Sequence, residues 1–195
     1  MHLNLSRAAV LALALHAGSA HAQTAPVPAQ PLGGPLVPGV CLLSREAVMA
    51  NSAIGKAANT RLQELARGAQ AEIDTQRTPL ETEAKAIEGQ PDNAQTRQRR
   101  EAFTTRWQAL QRQAQHNSRE IDATRAKALA RLATETQPVI AVVYGQKKCG
   151  LLLDRAVALG GNFGNDLTAD VVRGLDAKIQ TMSFERERLP QQMAK

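Results

Sequence analysis

The sequence is poor in aromatic residues and in the residues that usually perform catalysis. Only 3% of its 195 residues are aromatic, so a large conventional hydrophobic core is not expected. Of its four histidines, only His116 lies beyond residue 22, and its place on a long polar helix predicts a surface position. It has no metal-ligand partner at useful spacing. We therefore expect neither an enzyme nor a bound metal or cofactor.

The one long apolar run lies at the amino terminus and is too short to span a bilayer. Arg7 precedes an apolar stretch from Ala8 to Ala17, and Ala20-His21-Ala22 has the small-residue pattern of a cleavage site. Residues 1–22 are therefore predicted to be a secretory signal peptide, which directs the protein to the periplasm. Residues 23–37 are rich in proline and are predicted to form an extended leader.

The segment 52–146 is predicted to form a long helical hairpin, here called the arm. Apolar residues recur at helical spacing in both halves, and residues 89–92 form the turn between them. Each half has only one narrow apolar face, so we expect the halves to pack as an antiparallel, coiled-coil-like arm on the order of 60 Å long. The predicted packing residues are Leu62, Leu65, Ile73, Leu80, Phe103, Trp107, Leu110 and Ile121.

Proline inside the first half of the arm predicts a local bend. Pro79 removes a backbone hydrogen bond from its helix, and counting outward from the turn places it opposite Phe103. Phe103 and Trp107 are therefore interpreted as aromatic residues that fill the space at the bend. Contact with a partner protein is the alternative role.

Residues 38–51 and 147–182 are predicted to form a small β/α body at the root of the arm. The arm leaves and returns at the same end, so the strand before it and the strand after it are expected to run antiparallel. Together with the arm, this predicts an α+β fold with a small antiparallel β body. Short strands at 149–153 and 156–159 are predicted to form a hairpin, a last helix follows, and residues 183–195 are expected to be a frayed tail.

The two cysteines fall in the two predicted strands that flank the arm. Exported proteins commonly form disulfides, so a bond between Cys41 and Cys149 is expected, with two buried thiols as the alternative. The body has only about forty ordered residues, near the size below which a domain needs a disulfide, a metal or partner chains. Self-association is therefore also expected.

Positive charge is concentrated on the second half of the arm. Removing the signal leaves 23 basic and 18 acidic residues, a net charge of +5, and residues 97–131 hold nine basic residues against three acidic ones. A solvated helix face is one interpretation; attraction for anionic lipid, acidic polypeptide segments or nucleic acid is the other, although export argues against nucleic acid. The candidate electrostatic contact residues near the turn are Arg97, Arg99, Arg100, Arg106 and Arg112.

The order of several short motifs is characteristic of one protein family. These motifs are Val40-Cys41-Leu42-Leu43-Ser44, Gly55-Lys56-Ala57-Ala58, Leu151-Leu152-Leu153-Asp154 and Asp166-Leu167-Thr168. Over about residues 38 to 182 the sequence resembles the Skp, or OmpH-like, periplasmic chaperones. The resemblance implies a homotrimer with a small β body, from which three helical hairpins project and enclose unfolded outer-membrane proteins. It thus implies an ATP-independent holdase; a structural envelope protein that uses the arm as a spacer for one folded partner is the alternative.

Overall fold

The computed structural model describes residues 32–191. The predicted signal peptide lies outside these residues, as does most of the predicted leader. In chain order the elements are strand β1 (Val40–Leu43), helix α1 (Arg45–Asn51), helix α2 (Ala53–Ile87), helix α3 (Ala94–Gln146), strand β2 (Leu151–Asp154), a 3-10 turn (Arg155–Val157) and helix α4 (Thr168–Lys178). No helix within the described range is both long and apolar enough to cross a membrane.

Helices α2 and α3 form the arm and pack in opposite directions. Arg106 contacts Glu83 near the turn, whereas Asn117 contacts Ala69 farther from it. Side-chain caps define where the helices begin. The Asn93 carboxamide oxygen accepts a hydrogen bond from a backbone N–H of the first turn of α3, as an N-cap residue should.

The interior of the arm holds a small apolar cluster toward its tip. Ile73, Leu80 and Leu110 are buried there, and Phe103 and Trp107 pack against them with their rings stacked 6.0 Å apart. Helix α2 continues without interruption through the exposed Pro79. The two aromatic residues therefore pack, half-buried, against the edge of this cluster.

The body is built around a parallel pair of strands, so the predicted antiparallel pairing is wrong. Val40 pairs with Leu151 and Leu43 with Asp154. The prediction rested on the arm leaving and returning at the same end, and it gave the short helical turn expected after β1 no effect on the direction of the chain. Helix α1 lies between β1 and the arm and lets the chain change direction, so the returning chain meets the beginning of β1 and not its end. A parallel pair requires a long crossover, which α1 and the arm supply.

The predicted β-hairpin is also wrong, because only its first strand forms, as β2. The Asp154 carboxylate accepts a hydrogen bond from the Ala156 N–H, 2.9 Å away, and starts a 3-10 turn. The other side of β1 is occupied by a later segment: the Leu42 N–H donates to the Asn165 carbonyl, and the Leu167 N–H donates to the Leu42 carbonyl. Residues 155–157 form the 3-10 turn in place of the start of a second strand.

The glycine-rich loop 160–165 holds the described end of the leader. Asn165 donates side-chain hydrogen bonds to the carbonyls of Val37 and Val40, both at 3.1 Å. A Leu36 methyl group lies 2.9 Å from where a Cβ atom on Gly164 would be, so a side chain there would require Leu36 to move. Residues 32–37 form neither helix nor strand, and Gly33 and Gly34 have positive φ angles.

A disulfide joins the body across the root of the arm, which confirms the predicted bond. Cys41 and Cys149 have Cα atoms 5.8 Å apart and are separated by 108 positions in the chain. Cys41 is buried in β1 beside the main apolar core, in which Ile54, Leu132, Val171 and Leu175 are also buried. The bond therefore fixes the two ends of the arm against this core.

Replacing Cys41 and Cys149 together by serine should lower the free energy of unfolding by about 4 to 5 kcal/mol, because the bond closes a loop of more than 100 residues. Denaturant titration of the oxidised protein, the reduced protein and the double variant will measure this loss. Equal stability of the oxidised and reduced proteins would contradict the expected contribution.

Gly55 lies where α1 packs against the first turn of α2, and a Cβ atom there would overlap the Met49 carbonyl oxygen. Gly55→Ala should therefore lower the free energy of unfolding by about 2 kcal/mol. Gly68 is the matched control, because a Cβ at this exposed helical position meets nothing within 4 Å. Gly68→Ala should stabilise the protein by about 0.5–1 kcal/mol, and thermal unfolding of both variants will test the contrast.

Candidate functional site

The five arginines proposed from the sequence are all exposed on α3. Arg97 and Arg100 lie 3.3 and 3.7 Å from Asp92 in the turn, and Arg106 lies 2.5 Å from Glu83 on the facing helix. Arg99 and Arg112 have no ion pair within the described part of the chain. Exposed ion pairs contribute little to stability, so these arginines can exchange their partners at small cost.

The residues predicted to pack the arm divide into two groups. Leu62, Ile73, Leu80 and Leu110 are buried between the helices. Leu65, Phe103, Trp107 and Ile121 are only half-buried. The second group leaves apolar surface accessible along an otherwise polar arm. The arm therefore combines an interior seam with accessible apolar and basic side chains, which is what loose contact with a polypeptide requires.

Residues 182–189 lie along the arm, so the expectation of a frayed tail from Ser183 is wrong for this stretch. They form neither helix nor strand, yet Met182 and Arg186 are buried. We call this segment the tail and the surface between α2 and α3 that holds it the tail groove. The tail covers part of the half of the arm that is nearer the body.

Two arginines of the arm bind carbonyl groups of the tail. The Arg61 Nε donates to the Phe184 carbonyl at 3.1 Å, and the Arg131 Nη1 donates to the Ser183 carbonyl at 3.2 Å. Arg61 also pairs with the exposed Glu185 carboxylate at 3.0 Å. One arginine comes from α2 and the other from α3, so the tail is held from both helices.

Two acceptors on α3 bind N–H groups of the tail. The Glu187 N–H donates to the Thr124 hydroxyl oxygen at 2.8 Å, and the Leu189 N–H donates to the Glu120 carboxylate at 3.0 Å. Thr124 itself is buried and donates to the Glu120 carbonyl. Four backbone groups of the tail are thus satisfied by side chains of the arm.

The guanidinium of Arg186 is the one charged tail group buried in the groove. Its Nε donates to Glu120 at 2.7 Å, and its Nη1 donates to Glu72 at 2.9 Å, so it bridges α3 and α2. The Asn117 carboxamide donates to Glu72 and to the Ala69 carbonyl. A buried charge that is paired and hydrogen-bonded in this way stabilises the structure only while both partners remain.

Glu120 is the centre of this network and is held ionised. Burial raises the pKa of its carboxyl group, but the hydrogen bond from the Leu189 N–H and the charge of Arg186 lower it more, so the pKa lies below its ordinary value. The Glu120 side chain also accepts from Arg188, which is mostly exposed. The carboxylate therefore fixes the tail through both backbone and side-chain contacts.

His116 lies beneath this network, so its predicted surface position is wrong. Its Nε2 is 3.0 Å from Glu120, and its Nδ1 has no hydrogen-bond partner within the described residues. The polar Asn117 and Thr124 occupy positions of α3 at which the helical spacing calls for apolar residues. This gap in the apolar stripe could have indicated the buried polar cluster. Sequence reasoning missed it because such gaps are also common on solvated faces.

The chain is similar to one protein family and to a solved structure. The family model described as Outer membrane protein (OmpH-like) matches residues 39–175. Among solved structures, the chain is similar to a protein from Caulobacter crescentus CB15 that is described as a candidate outer membrane chaperone (OmpH-like). The two share 37% sequence identity with a TM-score of 0.75, over 85% of this chain and 100% of the other. No curated protein matches the chain.

Glu120→Gln should lower the free energy of unfolding at pH 7 by on the order of 3 kcal/mol, because Arg186 would lose its buried partner. The depressed pKa of Glu120 stabilises the wild type above the unfolded-state pKa of about 4.3, and this contribution is lost as the pH falls through the folded pKa. The free energies of unfolding of the wild type and of Glu120→Gln, measured by denaturant titration, should therefore converge at low pH.

The matched control is Glu101→Gln, an exposed position on the same helix. This variant should match the wild type at every pH. A Glu120→Gln protein as stable as the wild type at pH 7 would contradict the role assigned to the network.

Proposed function

This chain belongs to the OmpH-like family, as its sequence resemblance predicted, and from this membership we propose that it is a chaperone that holds unfolded outer-membrane proteins without ATP. The observation that carries the proposal is the arm itself. It extends from a small body and presents half-buried apolar side chains together with exposed arginines. Such a surface can make many weak contacts with an unfolded chain and needs no pocket for a nucleotide.

We propose that three copies assemble through their bodies. The two-stranded sheet is smaller than the sheets that are stable alone. Leu151 and Leu153 on β2 are exposed, and so are Val157 and Leu159 after it. An exposed strand with apolar side chains is a site for pairing or packing with another chain, which supports self-association of the body. The three arms would then surround a shared client space.

The periplasm is the proposed location. The Cys41–Cys149 bond suits an oxidising compartment, and residues 1–22 carry the features of a signal peptide. The basic side of the arm would attract acidic segments of clients or anionic membrane surfaces. Enzymatic activity forms no part of the proposal.

Native mass spectrometry of the mature chain, with and without a β-barrel protein diluted from urea, tests stoichiometry and client capture together. We expect a trimer that binds one client molecule, and less client aggregation without any nucleotide. A monomer that captures no client at stoichiometric excess would overturn the proposal. Capture of one folded partner from cells in place of unfolded clients would favour a spacer protein.

The arginine contribution is tested by the double variant Arg99→Glu and Arg112→Glu, in which both residues are exposed. We expect client capture to weaken several-fold at low salt and the difference from wild type to shrink at high salt. The control is Arg45→Glu with Lys56→Glu, which makes the same charge change near the body. Equal weakening by both double variants would show that only net charge matters.

A further inference from the structure

The tail groove holds its occupant partly through the peptide backbone, beside the ion pairs made by the side chains of the tail. Side chains of α2 and α3 satisfy two carbonyl groups and two N–H groups of the tail within residues 183–189. Backbone groups are the same in every polypeptide, apart from the missing N–H of proline. A surface that binds them can accept other extended segments besides the one present.

The tail also alternates in the way that a β-strand does. Met182 and Arg186 are buried and Phe184 is half-buried, whereas Ser183 and Glu185 between them are exposed. Successive side chains of an extended chain point to opposite sides, so alternate positions meet the arm. Strands of transmembrane β-barrels alternate apolar and polar side chains with the same period of two.

The groove adds one requirement on side-chain chemistry. The two carboxylates of Glu120 and Glu72 bind the guanidinium of Arg186 from opposite helices. A neutral or acidic side chain in this position would leave Glu120 buried without its partner, which is costly. The groove therefore favours a segment with a cationic side chain two positions after an apolar residue.

We propose that the tail groove is a binding site for extended segments of unfolded polypeptide that alternate apolar and polar residues and carry arginine or lysine, and that the tail occupies it when no such segment is bound. This inference deepens the proposed function by naming where a client segment binds. Because the tail is attached to the body, its high effective concentration excludes weak ligands from the groove. A client that also contacts the rest of the arm can compete.

Hydrogen–deuterium exchange on the intact mature chain tests the displacement directly. Addition of a saturating β-barrel protein diluted from urea should accelerate exchange of the Glu187 and Leu189 amides, which donate to the arm. The Leu167 amide, which donates to Leu42 in the body, is the internal control and should stay protected. Unchanged protection of the tail amides while client is captured would overturn the inference and leave the proposed function intact.

A peptide experiment tests the groove without a client. In the full chain Arg186→Glu places a third carboxylate beside Glu120 and Glu72 and should release the tail. Fluorescence anisotropy with a labelled peptide of residues 182–191 should then show binding to this variant at least about tenfold tighter than to the wild type. The Arg67→Glu chain, changed at an exposed arm position, is the control and should behave like the wild type.

The same peptide with glutamate in place of Arg186 should bind the released groove at least about tenfold more weakly. Equal affinity of the Arg186→Glu and wild-type chains for the native peptide would overturn the inference, as would no binding to either. If the Arg186→Glu chain binds the peptide but the wild type captures no client, the proposed function fails while the groove is supported. The two hypotheses are therefore tested separately.

Discussion

Along the arm, α2 and α3 bury one narrow apolar stripe against each other and leave the remaining surface polar or half-buried. Ile73, Leu80 and Leu110 hold the outer part, and the larger core around Ile54 and Leu132 holds the part next to the body. Neither helix could be stable alone in water with so little apolar surface. The body, the disulfide and the tail groove all depend on this pairing, because each joins residues that only the hairpin brings together.

Between the two apolar clusters the seam becomes polar, and there the tail contacts the arm. Asn117 finds its partners within the hairpin, but without the tail the buried Glu120 carboxylate would lose Arg186 and the Leu189 N–H, and such a loss is costly. The tail and its Arg186 supply the missing donors. These polar groups thus weaken the hydrophobic contact between α2 and α3. They also allow the hairpin to bind a segment from elsewhere in the chain.

Local patterns predicted the arm well, because helical periodicity and the Gly-Gln-Pro-Asp turn depend on neighbouring residues. The disulfide also followed, since any return of the chain to the root brings Cys41 near Cys149. The direction of the strands did not, because α1 reorients the chain in a way that no local pattern records. The burial of His116 and Arg186 likewise depends on contacts between residues far apart in sequence. From sequence alone, a charged tail is expected to be solvated, because the residues that would bind it cannot be identified.

The disulfide at the root of the arm also determines how the protein carries mechanical load. Cys41 and Cys149 close a covalent ring that contains all of α1, α2 and α3. Tension applied between the two ends of the chain passes through the sulfur bridge and bypasses the ring. The two helices of the arm can consequently separate when the tip is pulled, while the disulfide keeps their ends at the body together. The hairpin can then form again when the force is removed.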